Sequence, residues 1–375
     1  MHKHPHQHLH FLVNRELNEL YITVAIRSFA LAMITIFIPI YLLNIGYPLP
    51  TVLIFFAIAS LTQVVFTMPA ASIAAKYGFK HAIFFSTPLL ILFYLLLYTQ
   101  GHVFWILPLL AVIAGISNSL FWLSYHVDFS LFSDKKKRAQ EVSFAKVSSL
   151  IFHVLGPIVG GFLVVLLGFQ FLFVLVSILL LLSVIPLFFS KDVQTTKRYS
   201  IKDVFRGQTK RNFFTFFGCG IDTGVFLVFW PLVVFFAIYK NSYTGLGMIS
   251  SLGLFAAMVW ILIIGRIGNK YQRFMLRIGG VANSVVWMLK TIFLGPIQML
   301  ILHPLHGIAQ ATIAVPFQAI TYDKANKSKI LKFIMFREMT IHMGRVFLFL
   351  VMAMVTWLVG SFVLGAGASL LYLLF

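Results

Sequence analysis

Apolar residues in this chain run on for about 20 positions at a time before glycine, proline or a cluster of charge interrupts them. A run of that length is what an α-helix needs to cross a hydrocarbon core of roughly 30 Å. Twelve such helices are predicted, over 18–43, 50–75, 80–99, 103–127, 141–167, 169–190, 212–239, 243–265, 273–295, 297–321, 333–358 and 360–375. The reading is an all-α integral membrane protein.

Composition agrees. With 60% hydrophobic and 10% charged residues, a chain of 375 has too little polar surface to cover a soluble domain. A formal charge of +19 would ordinarily suggest nucleic acid, but its placement says otherwise. Lys76 and Lys80, the KKKR run at 135–138, Arg266, Lys270 and Arg273, and Lys324, Lys327, Lys329 and Lys332 all follow even-numbered spans. The central connection, SKDVQTTKRYSIKDVFRGQTKRN, adds seven more. Among the loops after odd-numbered spans only Lys240 is basic. The positive-inside rule then puts both termini and every basic loop on the cytoplasmic side of the cell membrane. Such a face favours anionic lipid head groups and implies no nucleic-acid partner.

The expected organisation is a cytoplasmic His-rich tail (1–17), a first six-helix bundle (18–190), a basic cytoplasmic linker (191–211) and a second six-helix bundle (212–375). The alternate histidines at 2, 4, 6, 8 and 10 read as part of a solvated, disordered tail. In an extended strand they would point one way and could bind a metal ion. The single cysteine, Cys219, excludes an internal disulfide and reads as a small buried hydrophobe.

The halves echo each other. AIRSFALAMITIFIPIYLL (25–43) aligns with GIDTGVFLVFWPLVVFF (220–236) across a small gap, and AASIAAKYGFK (70–80) with IGRIGNKYQR (264–273). AGISNS (114–119) aligns with HGIAQA (306–311), Gly115 over Gly307 and Asn118 over Gln310. Parallel repeats of six spans place a substrate site near the midplane, between the halves.

AASIAAKYGFKHA resembles the loop between the second and third helices of the major facilitator superfamily, of the form GxxxDRxGRR. Lys76 takes the place of an arginine, Gly78 that of the second glycine, and Lys80 that of the last cation; Ala75 replaces the aspartate. The second half's loop keeps Gly265, Lys270 and Arg273, with Asn269 for the aspartate. LGPIVGGFL in the fifth span resembles the GPxxGG motif of the family's antiporters, through Gly156, Pro157, Gly160 and Gly161. The resemblance implies two pseudo-symmetric six-helix bundles. It also implies a central cavity lined by the first, fourth, seventh and tenth spans, exposing Arg27, Asn118, Trp122, Asp222, His306 and Gln310.

The residues of those motifs have physical readings of their own. Gly78 permits a tight turn, while Gly160 and Gly161 let another backbone approach closely and Pro157 removes a helical hydrogen bond. These serve either helix packing or conformational switching. Asp128 and Asp323 stand at matching cytoplasmic ends of the fourth and tenth spans. Asp128 is expected to pair with Lys76 or Lys80, and Asp323 with Lys270 or Arg273, as a gate latch or as plain interfacial anchors.

Two acids fall inside spans, Asp222 and Glu338. Lys290, Arg337 and Lys146 lie near span ends, where they can snorkel. Arg27, Arg345, His153 and His342 are deeper and call for an aqueous cavity or an ion pair. Arg27 and Asp222 take corresponding places in the repeat at similar depth, so Arg27 is expected to compensate Asp222. That pair would be a substrate or proton site, or a permanent structural pair. HPLH (303–306) spaces two histidines, but no third ligand is apparent and no metal site is expected.

No GxxxxGK[ST], GxSxG or HExxH occurs, so neither ATP-driven transport, nor a hydrolase's catalytic residues, nor a cofactor is expected. The leading function is monomeric secondary active transport of a small molecule by alternating access, with protons as coupling ion. The GPxxGG resemblance favours export, and the deep cations favour an anionic substrate taken up by symport. A non-transporting receptor on the same fold is the remaining class.

Overall fold

The computed structural model describes residues 15–100, 106–133, 138–189, 192–193, 199–264 and 271–375. The His-rich stretch, Gly265 and Lys270 lie outside the described residues.

The described chain is helical, and nine of its helices are long and apolar enough to cross a membrane. One of these, Glu141–Phe188, holds two spans. Gly168 leaves helical geometry there with φ +79°, a conformation open to glycine because it lacks Cβ. Around it the chain doubles back. Phe144 packs on Tyr21, Phe169 on Tyr41 at the far end of the first span, and Phe188 on Phe84 back at the near end. Gln272–Ile292 and the shorter Gly360–Leu374 complete the twelve rods that the hydrophobic runs predict. The tenth span outruns its expected end, continuing to Asn326.

Two spans are irregular, and they are equivalents in the repeat. The first passes from Arg15–Ile34 through a 3-10 turn, Thr35–Phe37, into Ile38–Asn44, just ahead of Pro39. The seventh begins as Lys210–Gly224 and becomes π-helical at Val225–Phe229 and Val233–Ile238, either side of Pro231. Proline offers no N–H to the turn before it, and looser or tighter turns absorb the mismatch.

Packing inside each half follows one plan. The first span crosses the fifth and the seventh crosses the eleventh; the second crosses the fourth and the eighth crosses the tenth. Each crossing is close enough to demand glycine. A Cβ on Gly160 would strike the Met33 carbonyl, and one on Gly344 the Phe217 carbonyl. One on Gly115 would lie 2.7 Å from the Ala59 carbonyl, and one on Gly307 would strike that of Gly253. Gly115 and Gly307, aligned in the repeat, therefore make the same helix contact in their two halves.

The halves meet along the second and eleventh spans and along the fifth and eighth, as a pseudo-twofold axis requires. Gly161 faces the Tyr243 backbone, its missing Cβ only 2.7 Å from that carbonyl, and Gly247 faces Pro157. In the linker, the short helix Ile201–Phe205 carries a capping box formed by Ser200 and Asp203. Those hydrogen bonds hold the Asp203 carboxyl below its ordinary pKa. The helix docks on the eleventh span through Phe205 on Phe336, and Lys332 donates to the Arg206 carbonyl at 2.8 Å.

Candidate functional site: a cavity between the halves

A cavity of about 390 Å³ lies between the halves. The 3-10 turn of the first span brings Thr35 and Ile36 to it, and the π-helical stretch of the seventh brings Phe226, Leu227 and Val228, with Trp230 just beyond. Irregular backbone thus faces the space rather than lipid, as it must where no water satisfies it.

Of the expected residues, Arg27, Asn118, Trp122, His153 and Arg345 line the cavity. The Arg345 side chain donates to Thr223 Oγ1 at 3.1 Å. Arg27 is 3% exposed, and its guanidinium sits 3.8 Å over the Phe121 ring centre. None of its three nitrogens has a hydrogen-bond partner among the described residues. Among the described residues no aspartate or glutamate lines the cavity. The rest of the wall is largely apolar, with Phe55, Phe56, Phe93, Tyr94 and Phe349 among its aromatic members.

Asp222, Gln310 and His306 lie behind the wall, within the second half. The expected Arg27–Asp222 pair is not formed. The Asp222 carboxylate instead accepts from Trp287 Nε1 (2.8 Å), Gln310 Nε2 (2.9 Å), Asn283 Nδ2 (3.0 Å) and, more weakly, Tyr372 OH (3.4 Å). The reason lies in the helices. Arg27 stands 39 − 27 = 12 residues before Pro39, whereas Asp222 stands 231 − 222 = 9 before the equivalent Pro231. Three residues change depth by about 4.5 Å and rotate the side chain by about 60°. Asn283, Trp287 and Tyr372 have no mark in the sequence, because polar groups on the ninth and twelfth spans converge only when those spans pack.

Lys290 does not snorkel. It is fully buried, with Nζ 3.1 Å from His303 Nδ1, 3.7 Å over the Trp230 ring and 4.8 Å from that of Trp287. Trp287 thus gives its N–H to Asp222 and its face to Lys290. His303 stacks on Trp230 at 4.3 Å, and His306 stands next in the same stack, its two ring nitrogens without hydrogen-bond partners among the described residues. Arg337 is likewise buried, held by Glu338.

The ion pair expected at Asp323 forms with another partner. Asp323 takes Arg138 of the first half at 2.5 Å, not the Arg273 of its own half. Beside it, His126 Nδ1 lies 2.7 Å from Tyr322 OH, and Glu338 lies between His126 (3.8 Å) and His342 (3.9 Å). Asn326 donates to the Ser130 carbonyl at 3.2 Å. These contacts tie the two halves at the basic end. Lys80 reaches Glu19 at 2.9 Å, Asp128 is buried, and Lys76 projects outward over Tyr77. At Gly78, φ +108°, a Cβ would strike the Asp192 carboxylate, which accepts from the Lys80 and His81 amides at 3.1 and 2.8 Å. At the opposite end Asn44 donates to Tyr243 OH at 2.6 Å and Phe37 packs on the same ring.

The sequence of the family described as Major Facilitator Superfamily matches residues 20–208. A Bacillus subtilis (strain 168) relative, "Uncharacterized protein YqgE", is 25% identical over 260 residues, 64% of this chain; the match spans 59% of that relative's length. Two solved structures share the fold. One, of the human organic anion transporter MFSD10 (TETRAN), has TM-score 0.70 at 12% identity, over 96% of this chain and 99% of that one. The other, a bacterial homologue of the iron transporter ferroportin in an outward-facing state, has TM-score 0.70 at 13% identity, over 95% and 97%.

Proposed function

The chain belongs to the Major Facilitator Superfamily, a family of membrane transporters rather than enzymes, and on that premise we propose that it is a secondary active transporter of an organic anion. It works by alternating access, with the basic loops and both termini in the cytoplasm and protons as the coupling ion. One observation carries the substrate class. Among the described residues, a buried guanidinium without a hydrogen-bond partner opens onto a cavity that no carboxylate lines. A buried cation left unpaired is costly, and an anionic ligand would relieve that cost. The apolar, partly aromatic wall suits an apolar body behind the anionic head. One structural neighbour is described as an organic anion transporter, and the same class is proposed here on the strength of Arg27.

Proton coupling rests on Asp222 and Lys290, an acid and a base both buried against Trp287, with His303 and His306 stacked on the cavity-lining Trp230 and Phe226. The direction proposed is export, favoured by the GPxxGG resemblance of the fifth span, whose Pro157 and Gly161 touch the eighth span of the other half. Reconstitution into proteoliposomes tests the whole. A pH gradient without ATP should drive accumulation of an aromatic carboxylate. Binding without flux would make the chain a receptor and overturn transport.

A further inference from the structure

A second cavity, of about 500 Å³, opens at the basic end between the ninth and tenth spans, away from the transport path. Arg273, Arg277, Lys324 and Lys327 line it, with Tyr271, Gln272, Phe274 and Ile320. Its one acid, Asp323, is already engaged by Arg138. Lys324 donates to Asn212 at 2.8 Å and covers the Phe375 ring, so it is held in place. Arg273, Arg277 and Lys327 are exposed, and their side chains make no ion pair or hydrogen bond among the described residues. Four cations against one neutralised acid make a concave anion site.

Its surroundings say which anion. From the mouth of the cavity, Phe274, Ile278, Val281, Val285 and Met288 descend the ninth span, all exposed. Their spacing of four, three, four and three puts them on one helix face. A charged cradle at the interface that continues into an apolar stripe matches a phosphate head group with acyl chains below it. A water-soluble phosphate would use the cradle and leave the stripe idle.

We propose that this cavity is a binding site for the phosphate head group of an anionic glycerophospholipid of the leaflet at the basic end. Because Asp323 belongs both to this wall and to the latch, the site keeps its shape while the halves are joined there. The bound lipid therefore favours that state, to the extent that it binds it better.

Native mass spectrometry of the protein from nanodiscs holding phosphatidylglycerol and phosphatidylcholine provides the test. The full-length protein should retain phosphatidylglycerol in preference to phosphatidylcholine, and each of Arg273→Gln, Arg277→Gln and Lys327→Gln should weaken retention by about fivefold. Melting temperatures in pure phosphatidylcholine nanodiscs should match for all variants, which shows that their folds are intact. Equal retention by the wild type and the triple variant would overturn the site. Stabilisation by inorganic phosphate or glycerol phosphate in phosphatidylcholine, equal to that by phosphatidylglycerol, would overturn the lipid as its occupant.

Discussion

The Arg27 guanidinium lies 3.8 Å over the Phe121 ring and reaches no hydrogen-bond partner among the described residues, although Arg27 is 97% buried. A cation–π contact offsets part of its desolvation and leaves the rest, on the order of a few kcal/mol, uncompensated.

Removing that charge should therefore separate stability from function. Arg27→Met is expected to melt at or above the wild-type temperature, while stabilisation by aromatic carboxylates disappears. A thermal-shift series with and without ligand checks both halves of the claim. A destabilised Arg27→Met would mean that the guanidinium has a structural partner.

Asp222 receives four donors, so Asp222→Asn presents an amide to neighbours that are themselves donating. The expected loss of stability is about 1–3 kcal/mol, as for an unsatisfied buried polar group. Proton-driven accumulation should fail while counterflow exchange survives. Full accumulation by Asp222→Asn would exclude Asp222 as the proton carrier, whatever the effect on melting.

Gly160 and Gly161 are adjacent but serve different contacts. Gly160 meets the first span of its own half, and Gly161 meets the eighth span of the other. Gly160→Leu is expected to reduce the yield of folded protein. Gly161→Leu should fold and lose flux, because only a contact between the halves is blocked. Folded yield and flux measured side by side distinguish them, and equal behaviour would contradict the assignment.

Arg138 and Asp323 form a pair between the halves in which Asp323 is 36% exposed. Arg138, buried, keeps its bonds to the Ser133 hydroxyl and carbonyl without Asp323, so Asp323→Asn should shift the melting temperature little. It should still speed labelling of a cysteine introduced into the cavity, at Ser60, by a reagent supplied on the cytoplasmic side. Unchanged labelling would show that the other contacts at this end hold the gate alone.

Topology has a direct test. Cys219 is buried, so Ile201→Cys, at a site 59% exposed in the linker, supplies an accessible thiol with little background. An impermeant maleimide should label it in inverted vesicles and leave it unlabelled in intact cells. The opposite pattern would reverse the proposed orientation.

Twelve spans and the internal repeat were legible in the chain because each depends on local order alone. A span needs only an apolar run of sufficient length, and the Gly115–Gly307 equivalence shows as a short shared motif. Which carboxylate meets which cation was not legible. Asp222 was found as a buried acid, but its partners come from the ninth, tenth and twelfth spans, and a three-residue difference in spacing to a proline decided that Arg27 is not among them. Arg138 looked like one more basic loop residue until the halves came together and set it on Asp323. Lys290, placed near a span end, read as a snorkelling cation, yet packing closed Trp230, Trp287 and His303 around it. Hydropathy is a sum along the chain and survives any arrangement of the helices. A polar contact at depth depends on rotation and depth to within a few ångströms, and helix packing alone determines both.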